Sequence, residues 1–216
     1  MMSVNYPKRT LKRQENRNKL DTAASLLFST KGYPGTTLEE VAEAADLHVQ
    51  TLYRQFKTKE ALAISASQKV LNECETRFAT NFHDRDTFQI WREWMENSVT
   101  YLIDLGLKKN KRAQLRSASS LMNDNYILII YSGYEDILTK YLAKDFQMNP
   151  QHHRLPRLVA GMLCSGNEAA LKRCASKDGG PDRLDDKTFV VSESIAVVDD
   201  VESIFGKYIK LTRPKA

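Results

Sequence analysis

Apolar residues recur with a helical period along almost the whole chain. Leu20, Ala23, Ala24, Leu27 and Phe28 fall at i, i+3, i+4, i+7 and i+8, which lays one apolar stripe along a helix. Gly32 is the expected stop, and Tyr33-Pro34-Gly35 has the composition of a turn. Thr37-Leu38-Glu39-Glu40 then has the form of a capping box, in which the Glu40 side chain reaches back to the Thr37 N–H. Leu38, Val41, Ala42 and Ala45 give a second helix of two turns. The chain must turn sharply at Asp46, and Asp tolerates left-handed backbone better than most residues. A third short helix, about 48–55, returns Leu52 and Phe56 to the same core. Thr58 is the expected N-cap of a fourth, which carries Leu62, Ala66, Val70, Cys74 and Phe78 to about residue 82.

The remainder reads as longer helices over roughly 86–105, 110–123, 125–147, 154–176 and 188–210. Pro150 and the run 177–183 (KDGGPDR) are the clearest breaks. Strand character is confined to 188–194 (TFVVSES), a stretch that also suits the opening of the last helix. The expected fold class is all-α.

Composition adds limits. A chain of 216 residues, 42% hydrophobic and 27% charged, has the makings of an ordinary globular protein with one sizeable core or two smaller ones. Its longest apolar run, Tyr126 to Tyr131, is far short of the ~20 residues a membrane span needs, so no membrane association is expected. The N-terminus is polar and basic and does not read as a secretory signal. Cys74, Cys164 and Cys174 are too widely spaced for a zinc site or a disulfide framework and read as buried thiols. Charge is more telling. Residues 1–31 hold Lys8, Arg9, Lys12, Arg13, Arg17, Lys19 and Lys31 against Glu15 and Asp21, which equals the whole chain's excess of +5. Such an arm suits a polyanion partner; a solvated tail is the other reading.

Two short helices at 37–45 and 48–55, joined by a three-residue turn, have the dimensions of a helix-turn-helix. Its second helix must be pinned from behind by apolar residues while its N-terminal half stays polar for base edges. Leu47, Leu52 and Phe56 supply the pins, which leaves His48, Val49, Gln50 and Thr51 outside. Residues 20–62 resemble the DNA-binding region of the tetracycline-repressor (TetR) family of bacterial regulators. The resemblance rests on Ala-Ala-x-x-Leu-Phe (23–28), Gly-Tyr-x-x-Thr-Thr (32–37), Val-Ala-x-x-Ala (41–45), Thr-Leu-Tyr (51–53), Phe56 and Thr-Lys-Glu-Ala-Leu (58–62), in order and without a gap. The sequence departs from the family pattern at Asp46, where Gly is usual, and at His48 and Gln50, where Ser and Gly are common.

The resemblance implies a division into residues 1–62, a basic arm plus reading head, and 63–216, a helical effector-binding and dimerisation domain. In the reading head Gln50 can pair bidentately with adenine, Arg54 with guanine or a phosphate, and His48 with a base edge; Val49 can touch a thymine methyl. Thr51 and Tyr53 match family positions that contact DNA. Thr37 and Thr58 begin helices and, with Lys59 of the Thr-Lys-Glu motif, suit phosphates. Lys8, Arg9, Lys12 and Arg13 either trail into the minor groove or stay solvated. The resemblance further implies a small-molecule pocket in the second domain, for which Trp91, Trp94, Met95, Tyr126, Tyr131 and Met162 are the aromatic and thioether candidates, with plain core the competing reading. The last two helices are the expected dimer interface, bundling with those of a second subunit. The four histidines show no metal-binding spacing, and GxGxxG, GxxxxGK[ST] and GxSxG are absent, so no enzyme, metal or cofactor is expected. The whole reads as a cytoplasmic, nucleoid-associated homodimeric transcriptional regulator, most naturally a repressor released from a palindromic DNA operator by a hydrophobic or aromatic effector. The competing reading is a DNA-bound structural or division-control protein of the same fold with a protein partner.

Overall fold

The computed structural model describes residues 7–117, 124–175 and 181–213, with the side chains of residues 7 and 8 excepted. Among the described residues there are nine α-helices and no strand: α1 (Pro7–Thr30), α2 (Leu38–Ala44), α3 (Val49–Gln55), α4 (Lys59–Asn81), α5 (Thr87–Leu105), α6 (Lys109–Arg116), α7 (Asn125–Asp145), α8 (Leu155–Cys174) and α9 (Lys187–Phe205), followed by a 3₁₀ turn over Gly206–Tyr208. The all-α expectation holds. The sixth helix, expected over 110–123, ends at Arg116 instead, where Ser117 turns extended with ψ of 162°; residues 118–123 and much of the 177–183 break lie outside the described residues.

The largest departure is at the start. α1 begins at Pro7, more than three turns before the apolar stripe opens at Leu20, so the basic arm from residue 7 onward is helix. No periodicity announces this part because it has almost nothing to bury: between Arg9 and Lys19 only Asn16 and Arg17 are even half-buried. Proline suits the first helical turn, where its missing N–H costs no bond. The strand-like residues 188–194 open α9. Asp186 caps that helix by accepting the Phe189 N–H at 3.0 Å, and the Arg183 guanidinium lies 3.5 Å from the Phe189 ring centroid.

α1, α2 and α3 pack on one another, with α1 also lying along α4. α4 then continues without a break into the second half of the molecule, where it packs on α7. α7 lies on α8, α8 on α9, and α9 on α5. One continuous apolar core runs from Leu20, Phe28, Leu52 and Phe56 at one end to Phe88, Leu142, Leu163 and Val198 at the other. Close approaches set two of these contacts. A Cβ on Gly133 of α7 would sit 2.4 Å from Leu71 of α4, and one on Gly166 of α8 would sit 2.4 Å from Val197 of α9.

Candidate nucleic-acid interface

The interface is built by the turns around α2 and α3. Gly32 ends α1 with φ of 93°, the left-handed conformation its lack of a Cβ permits. Thr37 caps α2: its hydroxyl accepts the Glu40 N–H at 3.2 Å, and its own N–H donates to Glu40 Oε2 at 2.9 Å. Lys31 donates to the other Glu40 oxygen, and this bond, followed by that from Thr37, holds the carboxyl below its ordinary pKa. α2 ends at Ala44, and two residues on Asp46 takes φ of 53°. That lets the Leu47 N–H reach the Ala42 carbonyl at 2.9 Å and the Asp46 N–H reach Glu43 at 3.0 Å, closing the last carbonyls of α2.

His48 caps α3. Its Nδ1 accepts the Gln50 N–H at 3.2 Å, so the ring proton sits on Nε2 and the exposed edge of the ring is a donor. Gln50 is exposed. Arg54 is laid back along α3, donating to the Gln50 carbonyl at 3.3 Å and the Thr51 hydroxyl at 3.4 Å. His48, Gln50 and Arg54 are all exposed, with the Arg54 side chain folded back toward the N-terminal end of α3, while Leu52 and Phe56 are buried. Tyr53 is exposed and donates to Glu39 Oε1 at 3.1 Å, which pushes its phenol pKa up. Val49 and Thr51 are half-buried, and Val49 packs on the core, so the expectation that leaves both on the outside is corrected: the helix turns each partly inward. Thr58 caps α4 by accepting the Ala61 N–H at 3.0 Å.

Lys59 is turned inward. It donates to the Tyr33 carbonyl and lies 4.3 Å from the Tyr33 ring centroid, and burial holds its pKa below the ordinary value. Tyr33 in turn donates its N–H to Asp124 Oδ2 at 3.0 Å. Sequence reasoning missed this link, because a buried carboxylate some ninety positions away leaves no local pattern. It also missed Gln55, which donates to the Arg13 carbonyl at 3.1 Å and ties α3 to the exposed basic stretch of α1.

Behind the interface lies a cavity of about 380 Å³. α1 contributes Ser25 and Leu26, α4 Lys69 and Val70, α5 Trp94, Met95 and Leu102, α6 Lys111 and Leu115, and α7 Tyr126, Ile130 and Tyr131. Of the aromatic and thioether candidates, Trp94, Met95, Tyr126 and Tyr131 line it. Trp91 does not: it is buried in the core, edge-on to Tyr134 at 5.2 Å. Met162 does not either, since it is exposed on α8 beside Leu158, on the side away from the cavity. Both corrections have one cause, because helical spacing marks an apolar residue without saying which packed face it joins. The Tyr126 hydroxyl donates to Ser25 at 2.8 Å, so one wall ties α7 to α1. Burial raises the Tyr126 phenol to about 12, which keeps it protonated. All three cysteines are buried, and burial raises Cys174 to about 11 and Cys164 to about 12.

Residues 20–66 match the family profile described as bacterial regulatory proteins, tetR family. The HTH-type transcriptional regulator TcmR of Streptomyces glaucescens is 39% identical over 57 residues, 26% of this chain and 25% of TcmR. A second HTH-type transcriptional regulator, from Staphylococcus aureus, is 25% identical over 138 residues, 59% of this chain and 73% of its own. In fold, the chain is similar to SmeT, the repressor of the Stenotrophomonas maltophilia multidrug efflux pump SmeDEF, with a TM-score of 0.55 and 21% identity, covering 92% of this chain and 96% of that one.

Proposed function

The N-terminal domain of this chain belongs to the tetR family of bacterial regulatory proteins, and on that premise we propose that the protein is a sequence-specific DNA-binding repressor of transcription, released from a palindromic operator by a small hydrophobic or aromatic effector. The observation that carries the reading is α3, whose exposed face joins a ring donor, an amide and a guanidinium while its apolar side is buried. In this role His48, Gln50 and Arg54 meet base edges in the major groove, with Val49 flanking them. Thr37, Thr51, Tyr53, Thr58 and Lys59 hold phosphates; the hydroxyl hydrogens of the capping threonines are free to donate, because each cap uses the oxygen as acceptor. Lys59 must exchange the Tyr33 carbonyl for a phosphate, a local swing of one side chain.

We divide the chain into a reading head, 1–62, and an effector and dimerisation domain, 63–216. α8 and α9 expose Leu158, Met162 and Ile204, which suits a symmetric dimer that presents two α3 helices to one duplex. The cavity supports effector control, because it is lined by α1, which belongs to the reading head, and by α4, whose first turn does. An effector that prefers one tilt of α4 changes the spacing of the two heads. A coupling of ~1–3 kcal/mol alters operator affinity roughly 5–150-fold. No helix among the described residues is long and apolar enough to cross a membrane, and a nucleoid-associated cytoplasmic site fits the role. The competing picture, a DNA-bound structural protein with a protein partner, called for a fully packed second domain, and the cavity counts against it.

Selection of bound duplexes from a random pool, followed by a salt titration of the winner, tests the reading. A palindromic consensus is the expected result. Binding without a consensus would remove sequence-specific regulation, and the protein-partner role would replace it.

A further inference from the structure

The cavity wall carries three buried polar atoms without a hydrogen-bond partner among the described residues, Trp94 Nε1, Asn167 Oδ1 and Lys111 Nζ, and of these the charge-bearing one, Lys111, is the hardest for an apolar core or a purely hydrophobic ligand to explain. This residue of α6 lines the cavity and is 4% exposed, yet its Nζ makes no hydrogen bond among the described residues. Asp124 is the nearest carboxylate, with Oδ2 at 3.6 Å, inside ion-pair range and beyond a hydrogen bond. Asp124 does not need the lysine. Its Oδ2 accepts the Tyr33 N–H at 3.0 Å, and its Oδ1 accepts the N–H groups of Tyr126 at 3.1 Å and Ile127 at 3.3 Å. It caps α7, where the helix dipole favours a negative charge. The carboxylate is satisfied by backbone, and the ammonium beside it, though ion-paired, keeps its hydrogen-bond donors unused at the cavity wall. Burial lowers the Lys111 pKa and Asp124 offsets this only in part, so an acceptor taken into the cavity would further stabilise the ammonium.

Resting on the effector-site reading above, the geometry points to a ligand of one chemical class: a small organic anion, a carboxylate or its equivalent, on an apolar and mostly aromatic body. The anionic head pairs with Lys111 at the inner end of the cavity. The body lies along Trp94, Met95, Tyr126 and Ile130. At the mouth, exposed Lys69 and Glu73 carry opposite charges and so offer no second anion site, and Lys69 is already engaged with the Thr22 hydroxyl at 2.9 Å.

The test uses the full-length protein and two probes of nearly equal shape, 1-naphthaleneacetate and 1-naphthaleneacetamide, titrated by calorimetry at neutral pH. Wild-type protein should bind the acetate at least about tenfold more tightly than the amide, the size of one charge-assisted hydrogen bond. In Lys111→Met that preference should vanish while affinity for the amide is kept, which also shows that the variant is folded. Equal binding of the two probes by wild type overturns the inference, as does binding of neither. A preference for the acetate that survives in Lys111→Met overturns it too, because the anion is then held elsewhere. None of these outcomes touches the duplex selection, so a failed anion site and a failed DNA reader are separately visible.

Discussion

At the scale of single residues, two side chains of the reading head do more than their sequence positions suggest. Asp46 occupies the left-handed region that glycine holds more easily. Asp46→Gly should raise stability by roughly 0.5–1 kcal/mol, the steric relief less the extra freedom glycine brings to the unfolded chain, as read by urea denaturation. A loss would show that the Asp46 side chain contributes more than it strains. His48 has two jobs, capping α3 through Nδ1 and presenting Nε2–H outward. His48→Ala should cost about 0.5–1 kcal/mol of stability through the lost cap and also change base preference. His48→Asn should keep the stability and change only the preference. Equal stability loss in both variants would refute the cap. The turn was legible because Asp and Gly speak directly through backbone sterics. The inward swing of Lys59 was not, since its partner is a backbone carbonyl whose position depends on tertiary packing.

At the scale of elements, helices with an apolar stripe were read nearly to their ends. α4 runs from Lys59 to Asn81 against an expected end near 82, and α5 from Thr87 to Leu105 against 86–105. Legibility failed where no stripe exists. The first turns of α1 bury little, so nothing periodic marks them, yet they set a row of exposed cations beside α3 through the bond from Gln55 to Arg13. If these turns meet the duplex, Lys12→Gln and Arg13→Gln should each lower affinity for all sequences alike and reduce the salt slope by about one. An unchanged slope would leave the stretch solvated on DNA. α9 shows the opposite case, in which β-branched residues at 188–194 are overruled by the Asp186 cap. The Phe189 N–H, then Arg183, holds the Asp186 carboxyl below its ordinary 3.8. Its contribution is thus present above that pH and is lost as pH falls through the lower folded value. Asp186→Ala should lower the melting temperature at pH 7, with the gap to wild type closing in acid. A gap that persists in acid would rule out a charged cap.

At the scale of the whole molecule, three of the exposed apolar residues bear on the proposed dimer. Leu158 and Met162 stand on α8 and Ile204 on α9, helices that also pack tightly on each other at Gly166 and Val197. Leu158→Glu should convert a dimer to a monomer in sedimentation and weaken binding to a two-half-site operator far more than to one half-site. An unaltered dimer would move the interface elsewhere. The cavity belongs to this scale as well. Its aromatic supply was legible in the sequence, but its boundary was not: Trp94 lines it and Trp91, three residues away, is core.

The unbroken run of α4 has a mechanical consequence. A helix of 23 residues is a rod roughly 34 Å long, with its near end in the reading head and its middle pressed against α7 where Leu71 meets Gly133. Leu71 lies about 18 Å along the axis from Lys59, so with that contact as fulcrum a tilt of about 5° carries the head by ~1.6 Å. Displacements too small to disturb the core at the fulcrum are thereby magnified at the far end, and in a symmetric pair the two excursions add. In the proposed mechanism the stiffness of the rod, more than any one contact along it, sets how faithfully an occupied cavity is reported to the duplex.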